Sequence, residues 1–161
     1  MDSFPAIEID KVKAWDFRLA NINTSECLNV AYGVDANYLD GVGVSITSIV
    51  LNNRHINLDF YIIADVYNDG FFQKIAKLAE QNQLRITLYR INTDKLQCLP
   101  CTQVWSRAMY FRLFAFQLLG LTLDRLLYLD ADVVCKGDIS QLLHLGLNGA
   151  VAAVVKDVEP M

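Results

Sequence analysis

The residues with the most to offer chemically are two aspartates one position apart, Asp130-Ala131-Asp132, preceded by four apolar residues, Leu126-Leu127-Tyr128-Leu129. Aspartate is abundant, 14 of 161 residues, so chance alone supplies about one D-x-D and the spacing by itself carries no weight. The context carries more. If the apolar run is a strand and the chain stays extended beyond it, side-chain alternation puts both carboxylates on one side, about 6–7 Å apart. Carboxylates held that way repel each other, and a divalent cation removes the cost. Hard oxygen donors suit Mg²⁺ or Mn²⁺, which keep open positions for substrate phosphates. A turn followed by a helix cap explains the same spelling equally well. Arg112 is the second anomaly. Ala108, Met109, Ala115 and Phe116 fill its i±3 and i±4 positions, so it sits in a helix that is apolar on nearly all sides. A guanidinium buried there needs a carboxylate or phosphate partner, unless its long stem carries it to the surface. A cation and an arginine converging on a diphosphate would make a leaving-group site.

Other candidates are weaker. Cys98-Leu99-Pro100-Cys101 is a C-x-x-C, but the remaining cysteines, Cys27 and Cys135, form no second pair for zinc, and the motif sits in a loop-like stretch rather than at a strand-to-helix junction. A metal or redox protein using Cys98 and Cys101 is therefore a remote alternative, and ordinary thiols account for the motif. His55 and His144 stand far apart, each without a nearby Cys or His. Gly41-Val42-Gly43 has Ile46 where a dinucleotide fingerprint wants glycine, and no G-x-x-x-x-G-K-[ST] occurs. A bound nucleotide must be held some other way.

The composition allows one domain with a sizeable core: 53% hydrophobic, 20% charged, with 3 Pro and 8 Gly, which excludes disorder and low-complexity linkers. A net charge of −4 argues against nucleic acid as a partner. The N-terminus lacks the basic-then-apolar pattern of a signal peptide and no apolar run is long enough to span a bilayer, so the sequence reads as soluble and cytoplasmic.

These elements must position the candidates. Residues 1–26 read as an N-terminal arm or edge hairpin, and 27–161 as the main unit. Cys27 to Val34 and Asn57 to Ala64 are near-continuous apolar strands of the kind buried on both faces, and Leu84 to Ile91 alternates as a third. Between them, Tyr38 to Asn52 is ambiguous, but its length favours helix, and Asp69 can cap another. Ser106 caps a helix to Leu119, closed by Gly120. Arg125 to Leu129 is a fourth strand, followed by a short β piece at Val133 to Cys135, a helical turn after Asp138 that holds Leu142 and Leu143, and one more buried strand, Gly149 to Val155. Alternating strands and helices predict an α/β fold with a mainly parallel sheet. Ligands of such sheets sit beyond the carboxyl ends of the strands, which selects Asp35, Asn37, Asp65, Asp130 and Asp132.

Three segments in order, Val30-Ala31-Tyr32-Gly33-Val34-Asp35-Ala36-Asn37-Tyr38, Ser106-Arg107-Ala108-Met109-Tyr110-Phe111-Arg112-Leu113 and Leu127-Tyr128-Leu129-Asp130-Ala131-Asp132-Val133-Val134, resemble the family 8 retaining glycosyltransferases. The likeness runs over about residues 27–157 and is greatest to the bacterial enzymes that add hexoses to the lipopolysaccharide core. It implies a GT-A type, Rossmann-like sheet flanked by helices that binds a UDP-sugar. It implies transfer of glucose from UDP-glucose to a core hexose, with a galactosyltransferase as the alternative. By the same resemblance Tyr32, Gly33, Asp35 and Asn37 would line the uridine pocket, Asp35 on the base and Asn37 near the ribose. Arg112 would approach the donor sugar and phosphates. Asp130 and Asp132 would hold Mn²⁺ or Mg²⁺, Asp130 also touching the sugar-nucleotide, and Asp157 would lie on the acceptor side, a place Lys156 could equally fill. Enzymes of this kind are substantially longer. Their second half supplies a histidine metal ligand and a lysine in a His-x-x-Gly-x-x-Lys-Pro-Trp-type segment, together with the residues on the reacting face of the sugar. Neither His55 nor His144 sits in such a segment. The chain therefore reads as the nucleotide half of a GT-A domain, truncated on its C-terminal side, with the catalytic residues, the donor and acceptor selectivity, and any membrane-facing segment at the inner face of the inner membrane expected in the other half.

Overall fold

The computed structural model describes residues 7–18, 26–102 and 106–155. Among these, five strands form one sheet in the order β1-β4-β3-β2-β5. Strands β2 (Cys27–Val34), β3 (Asn57–Ala64) and β4 (Arg85–Ile91) run parallel to one another, as does β5 (Leu127–Tyr128) to β2, while β1 (Ile9–Asp16) lies antiparallel on the outer side of β4. The segment read as an arm or hairpin thus contributes one edge strand.

The apolar runs of β2 and β3 reflect burial on two faces. Val30, Tyr32, Phe60 and Ile62 point to one side, where they meet Val42 and Ile46 of α1 (Leu39–Asn52) and Phe71 and Ile75 of α2 (Asp69–Asn82). Ala31, Tyr61 and Ile63 point to the other side, against Phe111, Phe114 and Leu119 of α3 (Phe111–Leu119). From β2 the chain steps outward through α1 to β3 and through α2 to β4. It then crosses to α3 and returns as β5 on the opposite side of β2. The strand order therefore reverses between β2 and β5, and the crevice beyond their carboxyl ends is the place where such sheets bind ligands.

Several local expectations are corrected. The cap of α2 is Asn68, not Asp69: Asn68 is extended and its Oδ1 accepts from Phe71 N at 2.8 Å, which makes Asp69 the first helical residue. The helix expected from Ser106 begins as a 3₁₀ turn, Arg107–Tyr110, before α3 proper. The fourth strand shrinks to two residues, because among the described residues β5 has no ladder partner besides β2; Asn29 Nδ2 reaches Arg125 O at 3.4 Å where a further rung would lie. Val133 to Cys135 is irregular, with Cys135 N bonded to Ser48 Oγ at 2.9 Å rather than to a strand. Gly149 to Val155 is not a buried strand. Val151 is 99% and Val155 96% exposed, because no strand among the described residues pairs with this run. Apolar composition alone does not make a strand without a sheet edge to take it.

The amino-terminal ends of the strands are locked by charge. Asp59 of β3 is buried and ion-paired with Arg85 of β4 and with Arg18, just after β1, the latter at 3.3 Å. Burial raises its carboxyl above the ordinary value, against the pull of Arg85 and Arg18. The neighbouring Cys27 thiol is pushed up to about 12, chiefly by burial.

Candidate functional site

The three sequence segments that point to a nucleotide-sugar site touch one another pairwise at the carboxyl ends of β2 and β5. Asp35 follows β2. Its Oδ1 accepts from Asn37 N at 3.0 Å, capping the 3₁₀ turn Ala36–Tyr38, and its Oδ2 accepts from Ser106 Oγ at 2.9 Å. That second bond joins the first segment to the second. Ser106 also accepts from Ala108 N at 3.3 Å, so one hydroxyl caps the turn ahead of α3 and holds Asp35. The sequence shows Ser106 only as a cap; its contact with a residue 71 positions earlier needs the fold.

Arg112 joins the second segment to the third. Its Nη2 donates to Asp130 Oδ1 at 3.0 Å, and its guanidinium carbon lies 5.4 Å from the centre of the Tyr128 ring. The helix is less buried than its composition implies: Leu113 and Phe116 are each 48% exposed, and the Arg112 side chain is 42% exposed. Its head reaches the surface beside an acid, which combines the two alternatives that the sequence left open. Arg112 Nε is out of contact with solvent and has no hydrogen-bond partner among the described residues. Such an orphaned donor is costly, so the guanidinium is not fully satisfied by Asp130.

Gly33 joins the first segment to the third. A Cβ there would come within 2.7 Å of Phe111 Cβ and of Tyr128 Oη, so only glycine lets α3 and β5 close over β2. Leu129 N continues the contact, donating to Ala31 O at 3.0 Å. Burial pushes the Tyr128 phenol up to about 12, against the pull of Arg112, which keeps it neutral.

Tyr32 requires a correction. It is fully buried on the α1 side of the sheet with its hydroxyl 3.0 Å from Ser45 Oγ, so it is core and not pocket wall. Asn37 and Tyr38 are exposed at the mouth of the crevice. Asp65 follows β3, and its carboxyl is raised by burial, with a smaller contribution from the charge of Asp35. Asp157 lies outside the described residues.

Asp130 and Asp132 are both exposed and flank the buried Ala131. Asp130 is engaged by Arg112, and Asp132 makes no ion pair among the described residues. No set of three His, Cys, Asp or Glu that could hold a metal forms among those residues. The donor set still fits Mg²⁺ or Mn²⁺, which need only one or two carboxylates when substrate phosphates and waters complete the shell. Cys98 and Cys101 are exposed free thiols.

Replacing Ser106 by Ala removes a cap and frees Asp35. The expected result is a loss of about 1 kcal/mol in stability by denaturant titration. Unchanged stability would show that the turn ahead of α3 needs no such cap.

Solved structures define the fold. The galactosyltransferase LgtC in complex with donor and acceptor sugar analogues superposes with a TM-score of 0.64 at 20% identity, covering 74% of this chain and 43% of that one. WbbM, a bifunctional glycosyltransferase, gives 0.59 at 22% identity, covering 81% of this chain and 23% of that one. The fold is GT-A, an α/β sheet of mostly parallel strands flanked by helices.

Residues 29–160 match the family model "Glycosyl transferase family 8", and the chain belongs to that family. It is 39% identical to the lipopolysaccharide 1,2-glucosyltransferase of Escherichia coli, over 96% of this chain and 44% of that protein. It is 38% identical to the lipopolysaccharide 1,3-galactosyltransferase of Salmonella typhimurium, over 89% and 43% respectively. The chain thus spans under half the length of these relatives. No helix among the described residues is long and apolar enough to cross a membrane.

Proposed function

We propose that this chain carries the donor half of a retaining hexosyltransferase site, binding a UDP-sugar and a divalent cation, Mn²⁺ or Mg²⁺, at the carboxyl ends of β2 and β5. The reaction read for the whole enzyme is transfer of glucose from UDP-glucose to a hexose of the lipopolysaccharide core in the cytoplasm. The observation that carries this reading is the mutual contact of the three segments: Ser106 on Asp35, Tyr128 on Gly33 and Arg112 on Asp130. Residues far apart in the chain are brought to one crevice, at the point where the strand order reverses.

Each residue has a part. Asp35, held by Ser106 and by Asn37 N, presents a fixed carboxylate to the nucleobase, and Asn37 lies toward the ribose. Asp130 and Asp132 are the hard ligands, and a cation bound there supplies positive charge to the diphosphate that leaves. Arg112 brings a second positive charge, and the exposed head of its guanidinium offers N–H donors to phosphate oxygens. The chain's relatives include both a glucosyl- and a galactosyltransferase, so galactose is the alternative donor sugar. Asp157 is proposed on the acceptor side.

Calorimetric titration of UDP into the chain, with Mn²⁺ and with chelator, tests the reading. Binding that requires the cation and favours UDP over CDP and ADP is expected; metal-independent or base-indifferent binding would overturn it. A second reading, that the 161-residue chain binds donor but does not turn it over, is favoured by its two-carboxylate metal set. Clear transfer of radiolabelled sugar by the chain alone would refute that second reading.

A further inference from the structure

Both glycines of Gly41-Val42-Gly43 lie in α1, where glycine is a poor choice for helix stability. Their surroundings differ. A Cβ at Gly41 would stand 3.0 Å from Ala131 O, whereas a Cβ at Gly43 would meet nothing within 4 Å. Ala131 is the middle residue of Asp130-Ala131-Asp132, and it is buried against the α1 side of the sheet. The backbone between the two carboxylates is therefore seated directly on a helix position that has no side chain. Beyond it, α1 and its C-cap residue grip the same segment by hydrogen bonds: Ser48 Oγ accepts from Cys135 N at 2.9 Å, and the buried Asn53, just after the helix, accepts from Ile139 N at 2.8 Å. With the downstream chain pinned, the turn meets a new methyl group by a small local shift of residues 130–132 and not by moving away as a whole.

We infer that Gly41 is a positioning residue for the cation site: its missing side chain sets how deeply the Asp130–Asp132 turn sits, and hence where the two carboxylates present their oxygens. The inference rests on the reading of those aspartates as cation ligands. In that reading Gly41 is not itself a ligand and acts through Ala131, whose carbonyl oxygen is the atom nearest the added Cβ.

Gly43 provides a matched control, since G41A and G43A gain the same helix propensity two residues apart. The measurement is calorimetric titration of Mn²⁺ into the UDP-saturated chain, with thermal unfolding of each variant. A relaxation of a few tenths of an ångström should weaken Mn²⁺ affinity by about five- to tenfold in G41A, on the scale by which misplacement of about 1 Å costs a hundredfold in catalysis. Mn²⁺ affinity in G43A stays unchanged, and neither variant unfolds at a lower temperature. Gly41→Ser places the same Cβ and should repeat the G41A result. Equal Mn²⁺ affinity in G41A and G43A would overturn the inference. So would a G41A variant that unfolds early and loses UDP equally with and without Mn²⁺, since that pattern is a fold defect. Should the unsubstituted chain show no Mn²⁺-dependent UDP binding, the site reading itself fails, and this inference with it.

Discussion

Asp132→Ala should abolish the cation-dependent part of UDP binding, a loss of about a hundredfold or more in Mn²⁺ affinity, while the metal-independent affinity changes little. Changes merely next to a ligand commonly cost 10–100-fold, and a direct ligand should cost at least as much. Asp132 is the sharper probe of the pair because Asp130 already has Arg112 at 3.0 Å, so removing Asp130 frees a cation as well as removing a ligand. Asp130→Ala therefore mixes two effects of opposite sign on the diphosphate, and Asp132→Ala does not. Asp124→Ala, an exposed acid ahead of β5, serves as the charge control and should bind as the unsubstituted chain does. Binding by Asp132→Ala that equals the control would remove the D-x-D from the site.

Asp59→Ala should produce the largest loss of stability, with no direct effect on the crevice. Asp59 sits near the amino-terminal end of β3, and the candidate site is at the other end of the strands. Its carboxylate joins Arg85 and Arg18, tying β4 and the end of β1 to the sheet. Removing one partner of a buried pair costs about 3–5 kcal/mol, and the lower figure applies because Arg85 can still reach water. A loss of about 3 kcal/mol corresponds to a fall of about 10 °C in Tm for a chain of this size. The pH dependence has a definite sign. With its folded pKa raised, the share of stability linked to Asp59 titration is full below the ordinary value of 3.8 and is lost as pH rises through the raised value. Acidification therefore does not unfold the chain through this group. Guanidinium titrations that place Asp59→Ala within about 0.5 kcal/mol of the parent, the range of ordinary surface changes, would show that the cluster is ornamental.

Much of this architecture is legible in the sequence because burial on two faces leaves continuous apolar runs. Cys27 to Val34 and Asn57 to Ala64 show it, and both appear as strands with those bounds. Helix α1 is recognisable from its length, although its residues also alternate. The D-x-D stands out only with the apolar run ahead of it and the other two segments beside it. What stays hidden depends on partners. Gly149 to Val155 has the composition of a core strand but no strand beside it among the described residues. Tyr32 falls inside a segment typical of a nucleotide site, yet alternation along β2 turns its ring into the core. The Asp59 cluster left a trace, an acid within Leu58-Asp59-Phe60, but which arginines answer it depends on strand order. Gly41 passes for a failed phosphate loop until the Ala131 carbonyl is seen against it.

The central claim is that nucleotide and cation meet at the ends of β2 and β5, and paramagnetic broadening of backbone amide signals by Mn²⁺ locates the cation directly. In the UDP-saturated chain, broadening should centre on residues 130–132 and extend to 33–37 and Arg112, and it should vanish from those positions in Asp132→Ala. Broadening centred instead on the groove at the opposite ends of the strands, lined by Glu26, His55 and His144, would contradict the account.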